Sequence, residues 1–290
     1  MNLTVRTISG ILIVLLISAC LLRGFQSAFM FFGFLTILST GEFLHLADRH
    51  QGISVSLWAI LVSACGYLAV MGLSILLIYG GAAGAVRLIA FCLTAFFVSV
   101  IIFFVIELFR KKKTPLLNLS VGLMPVAYIA LPFALIPLLG VWCGAVTDSY
   151  YNGTLPLVLF VLIWSNDVGA YCIGCTFGHH RLFPRVSPKK TWEGSIGGAV
   201  LTVAAVCIMH LLMPAKLDFL PMWAWLAIAI LTVVAGTFGD LSESLIKREM
   251  GVKDSGRIFP GHGGFLDRFD STLMAAPATA VFLLIYGCLT

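Results

Sequence analysis

Charge is what this sequence has least of. Of its 290 residues only 11% are Asp, Glu, Lys or Arg, while 60% are hydrophobic. Soluble domains are about 25% charged and about 45–50% apolar. Both departures exclude an ordinary water-soluble globule, and the mean hydropathy of +1.04 agrees. Acids are scarcest in the first half, which holds only Glu42, Asp48, Glu107 and Asp148. Nine of the thirteen fall between Asp167 and Asp270. Paired cysteine motifs are missing too. Cys172-Ile-Gly-Cys175 is a lone CxxC without a second pair at zinc spacing, and most of the eight cysteines sit in apolar runs. There a thiol behaves as a small hydrophobe. A secretory cleavage site is also lacking. Arg6 and the run ILIVLLISACLL open like a signal peptide, but Leu21-Leu22-Arg23 stands where small residues would be needed, so this stretch reads as a retained helix. No internal repeat is visible.

Long apolar runs are what the chain has in quantity. Runs of about 20 residues match a bilayer's hydrocarbon core. They are continuous rather than alternating, so helices are expected, each satisfying its own backbone hydrogen bonds. The expected fold class is all-α, a polytopic transmembrane helical bundle in one membrane domain, 1–290. Nine spans are expected, at 8–22, 27–47, 54–79, 84–109, 116–140, 155–175, 194–213, 221–245 and 271–289. The fifth, with Pro125, Pro132 and Pro137, should be kinked. Basic residues stay on the cytoplasmic side. The cluster Arg110-Lys111-Lys112-Lys113 then sets the N-terminus inside and the C-terminus outside, and fifteen of the eighteen Lys and Arg fall on inside segments. Residues 1–150 read as a helical scaffold. Residues 151–290 read as a catalytic half with cytoplasmic loops at 176–193 and 246–270.

The polar residues of that second half carry the chemistry. A charge at bilayer depth costs at least about 2.5–3.5 kcal/mol, so Asp167, Asp240, Asp267 and Asp270 need a reason. A shared divalent cation is one, since Mg²⁺ takes oxygen ligands and bridges carboxylates to substrate phosphates. The bland alternatives are an edge salt bridge from Asp267 to Arg268 or Lys247, and helix capping by Asp270. The glycines 251, 256, 261, 263 and 264 let backbone approach a ligand, and successive N–H groups there can cup an anion. Lys247, Arg248, Lys253, Arg257 and Arg268 add phosphate-pairing donors. In the other loop Ser187, Lys189 and Lys190 could take an anionic headgroup, or merely anchor the loop on anionic lipid. His179-His180 reads as loop polar groups.

The segment SLIKREMGVKDSGRIFPGHGGFLDRFD, from Ser244 to Asp270, resembles the signature of the phosphatidate cytidylyltransferase (CDP-diglyceride synthase) family. Its fixed positions are Ser-x-apolar-Lys-Arg, Lys-Asp, Pro-x-His-Gly-Gly and Asp-Arg-x-Asp, all met at the right spacing. SPKKTWEG, WSNDVGAY and TFGDLSES are similar to the family as well, so the likeness covers about 160 to 275. The resemblance implies transfer of CMP from CTP to phosphatidic acid, giving CDP-diacylglycerol and pyrophosphate. It implies a metal centre of Mg²⁺, with room for a second cation such as K⁺, on Asp240, Asp267 and Asp270. It assigns Lys247, Arg248, Lys253, Asp254, His262 and Arg268 to catalysis and the CTP phosphates. Ser187, Lys189, Lys190, Asp167, Ser244, Gly263 and Gly264 would bind substrate. The absence of a Ser-His-Asp arrangement fits, because the lipid phosphate is already an anionic nucleophile.

The expected partners are CTP, phosphatidic acid and membrane lipid, without nucleic acid. A homodimer is compatible with the size, and nothing in the chain specifies one. The short chain points to a bacterial inner membrane. Rival readings are a CDP-alcohol or polyprenyl-phosphate transferase, a cation-coupled transporter, or an inactive scaffold. The first normally carries a longer aspartate ladder than Asp-x-x-Asp, and the second often shows repeats.

Overall fold

The computed structural model describes residues 3–49, 52–79, 83–256 and 263–289. Four helices come first: α1 (Leu3–Arg23), α2 (Phe25–Ala47), α3 (Trp58–Tyr79) and α4 (Ala83–Arg110). They are followed by α5 (Pro115–Pro125), a π-helical turn (Val126–Ala130) and α6 (Leu131–Val146), which run on as one segment. Then come α7 (Thr154–Phe177), a hairpin of β1 (Arg181–Phe183) and β2 (Ser187–Thr191), α8 (Trp192–Leu212), the single turn α9 (Pro214–Leu217) and α10 (Met222–Glu249). A second single turn, α11 (Leu266–Phe269), leads into α12 (Thr272–Leu289). Among the described residues, seven helical segments are long and apolar enough to cross a membrane, and two shorter apolar stretches, Ser9–Arg23 and Trp58–Gly72, accompany them.

The protein is an integral membrane protein, and its surface says so. Leu108, Phe109, Phe91 and Leu211 are all more than 70% exposed, an apolar belt that water would penalise and lipid accepts. α4 is the extreme case, with only 11% of its most apolar window buried.

The proline-rich segment departs from an α-helix where the prolines predict it. Proline offers no N–H and crowds the carbonyl four residues back. Directly after Pro125 the ladder widens, and the N–H of Leu131 reaches back five residues to the Val126 carbonyl. The segment still continues to Val146, beyond the expected end at 140.

The loop expected at 176–193 is partly a hairpin, which corrects the all-α reading in this one place. β1 and β2 pair antiparallel, with Arg181 opposite Thr191 and Phe183 opposite Ser187. Thr191 then caps α8, its hydroxyl accepting the Gly194 N–H at 3.1 Å. β2 therefore feeds straight into a helix, which places Lys189 and Lys190 on a strand rather than on a free loop.

α7 and α8 pack closely because small residues line their seam. A Cβ on Gly169 would stand 2.7 Å from the Gly197 carbonyl oxygen, and one on Gly198 would strike Asn166. At the centre of the bundle Phe32, Phe133, Phe160 and Phe269 form an aromatic knot, with ring centroids 5.4–6.3 Å apart. Such pairs contribute about 0.5–1.5 kcal/mol each beyond burial. Phe269 belongs to the LDRFD stretch, so the knot anchors that polar motif to the scaffold.

Candidate active site

Two cavities flank the polar motifs. The first, about 570 Å³, lies between α7, the start of α8, α10 and the start of α12. Asp167, Lys189, Lys190 and Asp240 line it, together with Asn166, Ser195, Thr237 and Ser271. Tyr171 and Cys175 also line it and are exposed, Tyr171 to 73%. One wall is thus polar and one rim faces outward from the bundle. The second cavity, about 610 Å³, is lined by His45 of α2, Arg49 just after that helix, and Lys253, Asp254 and Ser255.

Ion pairs tie the motifs together. Lys190 Nζ lies 2.6 Å from Asp240 Oδ2, joining the hairpin to α10. Ser244, one turn along, donates its hydroxyl to Asp240 Oδ1 at 3.2 Å. Asp167 and Asp270 lie within electrostatic range of Asp240, and Lys190 and Arg268 counter Asp167. Asp167 and Asp240 thus line one cavity, with Asp270 next to Ser271 at its edge.

Asp267 does something else. Its Oδ1 accepts from Lys247 Nζ at 2.6 Å. Its Oδ2 accepts the N–H groups of Ser255 and Gly264, both at 2.8 Å, and the Ser255 hydroxyl at 2.9 Å. Four donors thus meet the carboxylate, one at Oδ1 and three at Oδ2, and Ser255 and Gly264 are gathered at one oxygen. The adjacent glycines are required here. Gly263 has φ +80°, and a Cβ on either Gly263 or Gly264 would strike the carboxylates or Ser255. Asp267 and Asp270, three apart, thus serve different neighbours rather than one face. Asp270 is helical and its Oδ1 accepts the next residue's N–H, Ser271, at 2.6 Å. That is not the N2 or N3 donor of a helix cap.

The remaining candidates scatter. Arg248 is exposed and its Nη1 donates to the Val252 carbonyl at 3.1 Å, closing the turn after α10. Ser187 pairs with Phe183 at the start of β2, outside the first cavity's lining. Lys253 and Asp254 face the second cavity. His262, with Arg257 and Gly261, lies outside the described residues. Among the described residues no three His, Cys, Asp or Glu converge to hold a metal.

A family comparison decides the class. The model of the cytidylyltransferase family matches residues 4–286. The chain belongs to the cytidylyltransferase family. Among its relatives is a protein named phosphatidate cytidylyltransferase from Staphylococcus haemolyticus, 31% identical over 97% of this chain and 98% of that protein. Proteins of the same name from Staphylococcus saprophyticus and Haemophilus influenzae are 45% and 42% identical over 44% and 47% of this chain, and 48% and 47% of theirs. The match extends well beyond the stretch of about 160 to 275 on which the likeness in sequence motifs rested.

Two carboxylates of this cytidylyltransferase escape a motif reading. Glu243, fully buried, accepts from Lys247 Nζ at 3.0 Å, so that one ammonium joins Glu243 to Asp267. Its spacing to Lys247, i to i+4, was the available signal. Glu42 of α2, 8% exposed, reaches the loop from the scaffold: its Oε2 accepts the Leu266 N–H at 3.0 Å. An acid inside an otherwise apolar helix was the signal there.

Proposed function

We propose that this membrane nucleotidyltransferase moves CMP from CTP to phosphatidic acid, releasing pyrophosphate and supplying CDP-diacylglycerol for phospholipid synthesis. The cavity carries the reading: lysines and carboxylates line one side, and its rim at Tyr171 and Cys175 is open where acyl chains would enter. The names of the relatives support the choice of acceptor.

The reaction needs little proton chemistry. An oxygen of the lipid phosphate attacks the α-phosphorus of CTP. The bond from that phosphorus to the oxygen bridging the β-phosphate breaks, and pyrophosphate leaves with that oxygen. Both reactants are anions, so positioning and charge neutralisation govern the barrier. Lys189 and Lys190 receive the lipid phosphate. Lys247, Lys253 and Arg268 attend the CTP phosphates, and Arg248 holds the turn that carries Lys253.

The carboxylates suit Mg²⁺. The Lys190 ammonium on Asp240 supports reading that acid as one that can meet a cation, and Asp270 stands in electrostatic range of it. Mg²⁺ is commonly held by one or two carboxylates plus substrate phosphates. Asp240 and Asp270 would hold the ion, with Asp167 beside them, while Asp267 organises the loop. Bound there, Mg²⁺ would supply neutralisation of phosphate charge.

The polar end is assigned to the cytoplasm, and the membrane to a bacterial inner membrane. The fifteen-to-three asymmetry of Lys and Arg supports nine spans with the N-terminus inside.

Turnover tests the reading. Purified protein given CTP and phosphatidic acid should form lipid product and pyrophosphate one to one, lose this with a chelator and regain it with Mg²⁺. A second test addresses the cavity. In a variant keeping Cys175 as its only cysteine, phosphatidic acid should slow maleimide labelling at least about threefold, and phosphatidylethanolamine should not. Equal labelling in both would remove the acceptor from this cavity.

A further inference from the structure

The scaffold half reaches the candidate site through one carboxylate. Glu42 sits on α2 and is buried at 8% exposure. Its Oε2 accepts the Leu266 N–H at 3.0 Å, and the Ser255 hydroxyl approaches the same oxygen at 3.4 Å. Ser255 is itself a partner of Asp267, and Leu266 is its neighbour in the chain. The Ser255 hydroxyl also reaches Asp267 Oδ2, at 2.9 Å. Two carboxylates, one from each half of the chain, therefore meet over Ser255. Glycine makes the approach possible: a Cβ on Gly256 or Gly264 would collide with the Glu42 carboxylate. Glu42 Oε1 is buried and has no hydrogen-bond partner among the described residues.

We propose that Glu42 is a positioning residue: its Oε2 clamps the start of α11 to α2 and so sets where Asp267 and Asp270 stand. A buried carboxylate is costly to hold in an apolar helix. Packing alone would have been met by an apolar side chain. What an apolar side chain cannot do is accept the Leu266 N–H, which would otherwise be buried without a partner. The contacts seen are both made at Oε2, while Oε1 has none among the described residues, so the role is assigned to the acceptor rather than to the charge.

That distinction makes the proposal testable. Gln keeps an acceptor oxygen at full reach. Asp keeps the charge and withdraws it by one methylene. Ala keeps neither. The inference rests on the cytidylyltransferase reading for its kinetic arm, so a second arm, amide exchange across 263–269 in the full chain, is read independently of turnover. Glu42→Ala should lower kcat at least about a hundredfold, with a smaller change in KM for either substrate. It should speed exchange of the Leu266 amide at least about tenfold. Glu42→Gln should recover kcat to within about tenfold of the native chain and restore the protection. Glu42→Asp should do neither. Should the alanine variant fail to fold, the contrast between Gln and Asp decides alone. Native protection and turnover in Glu42→Ala would overturn the proposal, as would rescue by Asp where Gln fails. If the native chain made no lipid product, the functional reading would fall while the exchange arm still judged the clamp.

Discussion

Asp267→Asn is expected to lower kcat about a thousandfold in a chain that still folds. The reason is geometric. Asp267 accepts on both oxygens: Lys247 on one side, and Ser255 and Gly264 on the other. An asparagine offers one oxygen and one NH₂. Turned one way, its NH₂ faces the Lys247 ammonium. Turned the other way, it faces two backbone N–H groups. Either choice leaves buried donors unmet at about 1–3 kcal/mol each, and the loop loses its organising centre. The aromatic knot through Phe269 is untouched, so the bundle should persist. Kinetics on purified protein, with thermal unfolding as the folding control, check this. A loss under about tenfold would mean that the loop does not depend on Asp267.

The second large effect is expected at Lys190. Lys190→Met keeps the aliphatic stem and removes the ammonium that lies 2.6 Å from Asp240 Oδ2. Asp240 is then left beside Asp167 and Asp270 with one cation fewer. Like charges at such range repel, and a phosphate entering the cavity finds less positive charge to meet it. A fall in kcat/KM for the lipid of about a hundredfold is expected. Lys190→Arg should recover less than a tenth of the native value, because a planar fork cannot reproduce a compact point charge. Steady-state measurements with each substrate varied in turn separate the effects. A Lys190→Met variant within threefold of native would exclude the hairpin from the site.

Much of this arrangement could be read in the sequence, for reasons that vary by element. Helices were legible because apolar runs of membrane length have few alternatives. The π-helical turn was foreshadowed by Pro125, Pro132 and Pro137, since a missing N–H is a local property. The hairpin was not. SPKKT shows no alternation of apolar and polar residues, and it pairs with RLF between two helices that pack tightly. The acids of LDRFD were visible as acids, but their divergence was not. It is Phe269, seated in the aromatic knot between them, that fixes the motif in the bundle. Glu42 was hidden by distance: its contact with Ser255 spans 213 residues of chain. An acid in an apolar helix shows that a partner exists but not which one it is.

The central claim is that the bond made joins the lipid phosphate to the α-phosphorus of CTP. The most direct test supplies purified protein with phosphatidic acid, Mg²⁺ and CTP radiolabelled at either the α- or the γ-phosphate. The account predicts α-label in the lipid phase and γ-label in water-soluble pyrophosphate, in equal amounts. γ-Label in the lipid, or α-label that stays in water while CTP is consumed, would contradict it.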